Sequence, residues 1–137
     1  MGTLETLIRL SQNRTEERQR VLKAALDAEA ATQARIDALD HRVASEKKAA
    51  TKDELLRADF PNFLVRARAE RLALLEDLEK RRKTVVMARD TLAEAFEEQK
   101  KYEISKDMRD ARDSAERGRK EQAFLDEVAL RRKSEGR

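Results

Sequence analysis

The sequence lacks cysteine and tryptophan, and its 137 residues include one histidine, one proline and three glycines. With no thiol and with His41 as the single imidazole, zinc clusters, disulfides, thiol nucleophiles and histidine-paired catalysis are excluded or left without partners. Gly2, Gly118 and Gly136 lie far apart, so neither a P-loop nor a dinucleotide-binding turn can form. We therefore expect a protein that is not an enzyme and that uses no metal or cofactor.

Long apolar runs are also missing from the chain. No stretch approaches the roughly 18 residues of a membrane span, and the opening MGTLETLIRL lacks the basic region and cleavage site of a signal peptide. We expect a cytoplasmic protein with no direct membrane insertion. The 31 basic and 28 acidic residues nearly balance, which argues against nucleic acid as a partner.

Charge and alanine are abundant instead. Charged residues make up 43% of the chain, against about 25% in average globular domains, and 21 residues are alanine. Too few large apolar side chains remain to build the two packed layers of an ordinary domain. Because this composition is typical of long helices and coiled coils, the predicted fold class is all-α.

A first helix is predicted over about residues 3–49, which contain no helix breaker. Its seam positions alternate spacings of three and four residues without interruption, the pattern of a coiled coil. They are Ile8, Ser11, Thr15, Arg18, Leu22, Ala25, Glu29, Thr32, Ile36, Leu39 and Val43.

The single proline predicts where the chain turns. Thr51 and Glu54 fit a capping box that would start a short helix over about 51–58. Pro61 is expected to end that helix, because its ring removes an amide donor and restricts the preceding residue. The tip of the fold is therefore predicted over about 50–62.

A second, longer helix is predicted over about 62–133, with its own seam. Folding the chain back near residue 56 pairs Ile8 with Ile104. It also pairs Leu39 with Leu72, and Ile36 with Leu75 within one residue. The prediction is one domain over 1–137, an antiparallel two-helix coiled-coil hairpin with a longer C-terminal helix. The predicted seam of the second helix is Leu64, Ala67, Arg71, Leu75, Leu78, Arg82, Val85, Arg89, Leu92 and Phe96, then, after a stutter, Ile104, Met108, Ala111, Ala115, Gly118, Gln122, Leu125 and Ala129.

The end of the second helix has no predicted partner in the chain. Residues beyond about 109 extend past the start of the first helix, yet they keep an apolar seam. Such a seam indicates a second chain, because burial of an amphipathic face supplies most of the stability of a helix in water. From the residues alone, a homodimer and a different partner protein fit equally well.

Three features together resemble the FliJ family, soluble coiled-coil components of the bacterial flagellar type III protein export apparatus. They are LETL at residues 4–7, two unequal helices around a central proline, and EQxxLDExA at residues 121–129. The resemblance implies a hairpin similar to the stalk subunit of rotary ATPases, without catalysis of its own. It also implies a position peripheral to the export apparatus at the inner membrane.

The resemblance also implies partners and contact residues. The termini would bind the hexameric export ATPase, FliI, the tip would bind the export gate protein, FlhA, and export chaperones are further expected partners. The residues expected to bind the ATPase are Gln122, Phe124, Leu125, Asp126 and Ala129. The tip face expected to bind the gate comprises Phe63, Ala67, Glu70 and Leu74.

Other interpretations stay open at this point. A stalk protein of a virulence-type injectisome would have the same physical features, and the gene neighbourhood would separate it from a flagellar protein. A generic coiled-coil scaffold or a nucleic-acid-binding coiled coil is a further alternative, tested by binding to DNA at about 150 mM salt. At the tip, Phe60 and Phe63 also fit a hydrophobic plug that closes the hairpin.

Overall fold

A computed structural model describes residues 2–136. In that range the chain forms two α-helices, α1 over Thr3–Ala50 and α2 over Glu54–Glu135, and no strand. The predicted all-α class is confirmed. Neither helix holds a stretch long and apolar enough to cross a membrane within the described residues.

Residues 51–53 connect the two helices, and side chains cap both helix ends there. The Thr51 hydroxyl donates to the carbonyl of Lys48 at 2.6 Å, at the end of α1. The Asp53 carboxylate accepts a hydrogen bond from the amide of Leu55 at 2.9 Å and is the N-cap of α2. The predicted capping box is therefore not formed, because Asp53 caps α2 and the Thr51 hydroxyl bonds a carbonyl at the end of α1.

Arg57 joins the start of α2 to the end of α1. Its Nε donates to the carbonyl of Ala50 at 3.2 Å, and its Nη2 donates to the carbonyl of Thr51 at 3.2 Å. Carbonyls at a helix C-terminus have no partner within their own helix, so this guanidinium satisfies groups that would otherwise depend on water.

Pro61 lies inside α2, where the sequence predicted a helix end. The structure differs from the prediction of a tip over 50–62, because α2 starts eight residues before the predicted start at 62. The physical reason is the Asp53 cap, which starts the helix early enough for Pro61 to fall in its interior. Proline donates no amide, so the carbonyl of Arg57 loses its helical partner there.

The chain divides into two units, Arg14–Ala95 and a second one made of residues 2–13 and 96–136. Within Arg14–Ala95, the two helices are joined by a buried apolar cluster of Ile36 and Leu39 with Ala67, Leu74 and Leu78. This is the larger of the two clusters in that unit.

A second cluster in the same unit lies farther from the turn. It contains Ala25 of α1 with Val85 and Ala88 of α2, and Leu22 packs against it. Residue numbers in the two clusters fall along α1 as they rise along α2, so the helices run antiparallel within this unit.

The predicted seam of α1 coincides with its buried face. Every seam position from Ile8 to Val43 is buried or half-buried. Three of these positions are polar and buried, namely Ser11, Thr15 and Thr32. The Thr32 hydroxyl donates to the Asp77 carboxylate of α2 at 3.1 Å, so this polar position makes a hydrogen bond between the helices.

On α2 the structure corrects the predicted seam. Leu72 is 60% exposed and Leu75 is exposed, whereas Leu74 between them is 6% exposed and joins the core. The predicted pairing of Leu39 with Leu72 is therefore not formed. Other predicted seam positions, Ala67, Leu78 and Val85, are buried, so the correction is confined to part of the seam.

The same shift recurs farther along α2. Ala95 is buried, whereas the neighbouring Phe96 is exposed, and Ile104 and Met108 are also exposed. The predicted pairing of Ile8 with Ile104 is therefore not formed. No stutter follows Phe96, since the covered positions continue at spacings of three and four residues. These positions are Ala95, Gln99, Tyr102, Lys106 and Arg109.

Candidate functional site

The C-terminal segment, defined here as residues 110–135 of α2, is the most exposed part of the described chain. Every residue in it is exposed except Val128, which is half-buried. Glu5 of α1 pairs with Arg109 of α2, and α1 begins at Thr3. Since α1 has only two more residues in this direction, α2 continues for about 39 Å without α1 beside it.

Large apolar side chains lie unburied in this segment. Phe124 is 65% exposed, Leu125 is 59% exposed and Leu130 is 68% exposed. Because successive residues are about 100° apart on a helix, Leu125 and Ala129 share a face with Gln122, whereas Phe124 lies on the other side of the helix, about 100° from Leu125.

Polar residues of the C-terminal segment pair along their own helix. Gln122 Nε2 donates to Asp126 Oδ1 at 3.0 Å, and Arg131 pairs with Glu127 at 3.0 Å. Exposed pairs of this kind contribute about 0.2–0.5 kcal/mol each, so a partner can replace them at little cost. All five residues predicted to bind the ATPase are exposed here. Gln122, Leu125, Asp126 and Ala129 share one face, and Phe124 lies on the other side of the helix.

The residues predicted to bind the export gate do not form one exposed face. Ala67 and Leu74 are buried in the core of Arg14–Ala95, and the half-buried Phe63 packs against that core. Glu70 is exposed. The structure therefore brings Phe63, Ala67 and Leu74 together as part of the helix interface.

Phe63 also contacts groups on its exposed side. The Arg42 guanidinium lies 5.2 Å from the centre of its ring, and the ring centre of Phe60 is 6.2 Å away. A cation over an aromatic face is attracted by the quadrupole of the ring. These contacts favour the interpretation of Phe63 as part of a plug between the helices.

Sequence reasoning missed a set of exposed apolar residues near the turn. Leu55 is 83% exposed, and Val65 and Leu72 are also exposed on α2. At 100° per residue the three fall within about 100° of one another, which places them on one side of the helix. Leu72 was missed because it was predicted to pair with Leu39 between the helices, and Leu55 was missed because it was assigned to the short helix at the tip.

Ion pairs join the helices within each unit. In Arg14–Ala95, Arg71 hydrogen-bonds Asp40 at 2.9 Å, which holds the pKa of that carboxyl below its usual range and raises the pKa of Arg71. In the other unit, the hydrogen bond from Arg109 lowers the pKa of Glu5. Both pairs help to fix which turns of the two helices lie side by side.

Beside Arg109, the Lys106 ammonium pairs with Asp110 at 2.8 Å along α2. The hydrogen bond between them lowers the pKa of the Asp110 carboxyl and raises the pKa of Lys106. The helix surface next to Glu5 therefore carries two cations, and each has a carboxylate partner.

The described residues offer exposed surfaces as candidate binding sites. Within residues 2–136, no group of three acidic, histidine or cysteine side chains could hold a metal ion. What the structure presents is a helix end with apolar side chains in water and a charged surface around it. No family model, curated protein or solved structure matches this chain.

Proposed function

We propose that this protein is a stalk-like component of the bacterial flagellar type III protein export apparatus. Its helices form an antiparallel coiled-coil hairpin, and the C-terminal segment binds a hexameric export ATPase of the FliI type. The observation that carries the proposal is the exposure of this segment, with Phe124 and Leu125 in water. The resemblance at residues 4–7 and 121–129 supplies the identity of the machine.

The shape of the segment suits entry into a ring. Beyond the last turn covered by α1, it is a single helix, whose diameter with side chains is about 10–12 Å. Ala111, Ala115 and Gly118 keep one face of its first turns narrow. A narrow helix with apolar anchors near its end can enter a pore and adhere mainly at that end.

The anchors and their surroundings suit a protein surface. Phe124 and Leu125 provide apolar area, and aromatic side chains are enriched at the centres of interfaces. Gln122 and Asp126 can exchange their mutual hydrogen bond for bonds to the ATPase. The basic side chains at 131–133 are exposed and would meet acidic residues of the ring.

The end of the hairpin near the turn is the proposed contact for the export gate protein, of the FlhA type. Of the four residues predicted for that contact, Glu70 has an exposed side chain, and the exposed Val65 and Leu72 lie on the same stretch of α2. Export chaperones are further proposed partners. This second contact would place the protein beside the inner membrane without inserting into it.

Deletion of residues 119–137 tests the ATPase contact. We expect the truncated protein to keep most of its helicity and to lose its stimulation of the purified export ATPase. A sharper variant combines Phe124→Ala with Leu125→Ala. Its matched control combines Val65→Ala with Leu72→Ala, which removes similarly exposed apolar groups far along α2.

Two results would contradict the proposal. One is normal ATPase stimulation by the truncated protein or by the double variant at 124 and 125. The other is a truncation whose single effect, measured by sedimentation, is to convert a homodimer into a monomer. In that case the C-terminal segment would be a self-association surface.

A further inference from the structure

The N-terminal strap, defined here as residues 2–13 of the chain, is held to α2 differently from the rest of α1. All ten buried apolar residues within 2–136 lie between Ala25 and Ala95. The unit that contains the strap has none of them, and its one buried residue is Ser11. Since apolar burial is the main favourable term in helix packing, the strap is the weakly held part of the helix pair.

The contacts of the strap are half-buried or charged. Leu4, Leu7 and Ile8 are half-buried against the rest of their unit. The Ser11 hydroxyl donates to the carbonyl of Ile8, in its own helix, at 2.8 Å. Across to α2, Glu5 pairs with Arg109.

The Asp40–Arg71 pair lies beside a buried apolar cluster, which the strap lacks. This pair and the Glu5–Arg109 pair each join an arginine to a carboxylate, and in each the side chains are between one third and one half exposed. Asp40, however, follows the buried Leu39 directly. Exposed ion pairs add little stability by themselves, so the apolar cluster holds the helices together at Asp40, and no such cluster supports Glu5.

The strap covers one face of α2. Arg109 pairs with Glu5 of the strap, and half-buried residues continue along α2 from it at spacings of three and four, among them Lys106 and Tyr102. This face carries an aromatic ring and two cations, and Arg109 pairs with Glu5 and, at 3.5 Å, with Asp110 of its own helix. A partner that brings its own carboxylate can take the place of Glu5.

We propose that the N-terminal strap opens while Arg14–Ala95 stays folded, and that it uncovers the face of Tyr102, Lys106 and Arg109 for a carboxylate of the partner protein. Opening lengthens the part of α2 available for binding from the C-terminal segment back to about residue 99. The identity of the partner rests on the proposed function. The opening itself is a property of the free chain.

Thiol labelling tests the opening directly, because the chain has no cysteine of its own. Ser11→Cys places a buried thiol in the strap, and Ala25→Cys places one in the core of Arg14–Ala95. Local openings are far more frequent than global unfolding, so we expect the thiol at 11 to react at least about 100-fold faster than the thiol at 25. Equal rates would overturn the proposal.

Removal of the charged contact gives the second measurement. Adding Glu5→Gln to the Ser11→Cys chain should speed its labelling by about two- to fivefold, the range expected for an exposed ion pair. The matched substitution Asp40→Asn should leave the rate at position 11 unchanged. An equal effect of both substitutions would show that position 11 reports unfolding of the whole helix pair.

Hydrogen exchange on the unmodified chain guards against a disturbance by the introduced thiol. Amides of residues 5–13 should exchange at least about 100-fold faster than those of residues 30–45, with a weaker dependence on denaturant. Uniform protection along α1 would overturn the proposal. None of these measurements includes the ATPase, so failure of the strap and failure of the proposed function are distinguishable.

Discussion

Arg71 of α2 donates two hydrogen bonds to Asp40 of α1, from Nε to Oδ1 at 2.9 Å and from Nη2 to Oδ2 at 3.3 Å. The guanidinium stabilises the ionised carboxylate, which lowers the pKa of Asp40 below its ordinary value of 3.8. A lowered folded-state pKa means that the contribution of the pair is present above the unfolded pKa. It is lost as the pH falls through the folded pKa.

We therefore expect the denaturant midpoint of the protein to fall in acid, partly through this pair. A double-mutant cycle with Asp40→Asn and Arg71→Gln isolates the coupling between the two side chains. The coupling should be measurable near neutral pH and should vanish well below pH 3.8. A coupling that stays unchanged at pH values well below 3.8 would show that the Asp40 carboxylate is not the titrating partner.

The core of Arg14–Ala95 predicts that alanine substitutions at Leu72 and Leu74 lower the free energy of unfolding by very different amounts. Leu74 is buried with Ile36 and Leu39, so Leu74→Ala should lower the free energy of unfolding by about 2–5 kcal/mol. Leu72 is exposed, and Leu72→Ala should change it by less than about 0.5 kcal/mol. Denaturant unfolding followed by circular dichroism measures both. A larger loss of stability from Leu72→Ala than from Leu74→Ala would instead support the predicted pairing of Leu39 with Leu72.

The seam of α1 was predictable because its spacing is unbroken and has one interpretation. Ile36, Leu39 and Val43 are apolar and set the phase of the repeat, and the other positions follow from them at spacings of three and four. Burial depends on this period whatever the side chains are, so even the polar Thr15 and Thr32 are buried at seam positions. Position in the repeat therefore decided burial more strongly than polarity.

The seam of α2 was not predictable in the same way, because two neighbouring rows of residues compete there. The predicted row contains Leu75 and Phe96, which are exposed, and the neighbouring row contains Leu74 and Ala95, which are buried. Hydrophobicity does not distinguish Leu74 from Leu75. The choice between the rows appears only when both helix surfaces are fitted together.

The candidate site divides in the same way. The exposure of the C-terminal segment followed from the lengths of the two helices. α1 begins near Arg109 of α2, so the residues of α2 beyond Arg109 have no α1 beside them, whichever face α2 turns toward α1. The tip face depended on register, since one residue separates the buried Leu74 from exposed neighbours. Features set by length were therefore more predictable than features set by the rotation of a helix.

Phe63 should contribute to stability as well as to any binding at the turn. Its ring packs on the core and carries the Arg42 guanidinium on its face, so Phe63→Ala should lower the free energy of unfolding by about 1–2 kcal/mol. Val65→Ala, on the exposed side of the same helix, is the control and should have almost no effect on stability. Binding of the gate protein is measured with both variants. If Phe63→Ala lost gate binding at unchanged stability, the result would support the prediction that Phe63 contacts the export gate protein directly.

Pro61 gives the last prediction, because the sequence and the structure assign it opposite roles. α2 passes through Pro61, and the proline leaves the carbonyl of Arg57 without an amide donor. Pro61→Ala restores that donor, although the unfolded chain gains freedom, so we expect a net stabilisation of about 1–2 kcal/mol.

Helicity separates the two roles of Pro61. If the proline ended a helix, Pro61→Ala would lengthen that helix and increase the ellipticity of the folded protein. Since α2 already runs from Glu54 to Glu135, ellipticity should stay constant while the denaturant midpoint rises. Asn62→Ala is the control for helix propensity alone and should stabilise by at most about 0.7 kcal/mol. A rise in ellipticity with Pro61→Ala but not with Asn62→Ala would show that the helix breaks at Pro61, because only a break there lets one substitution add helical turns.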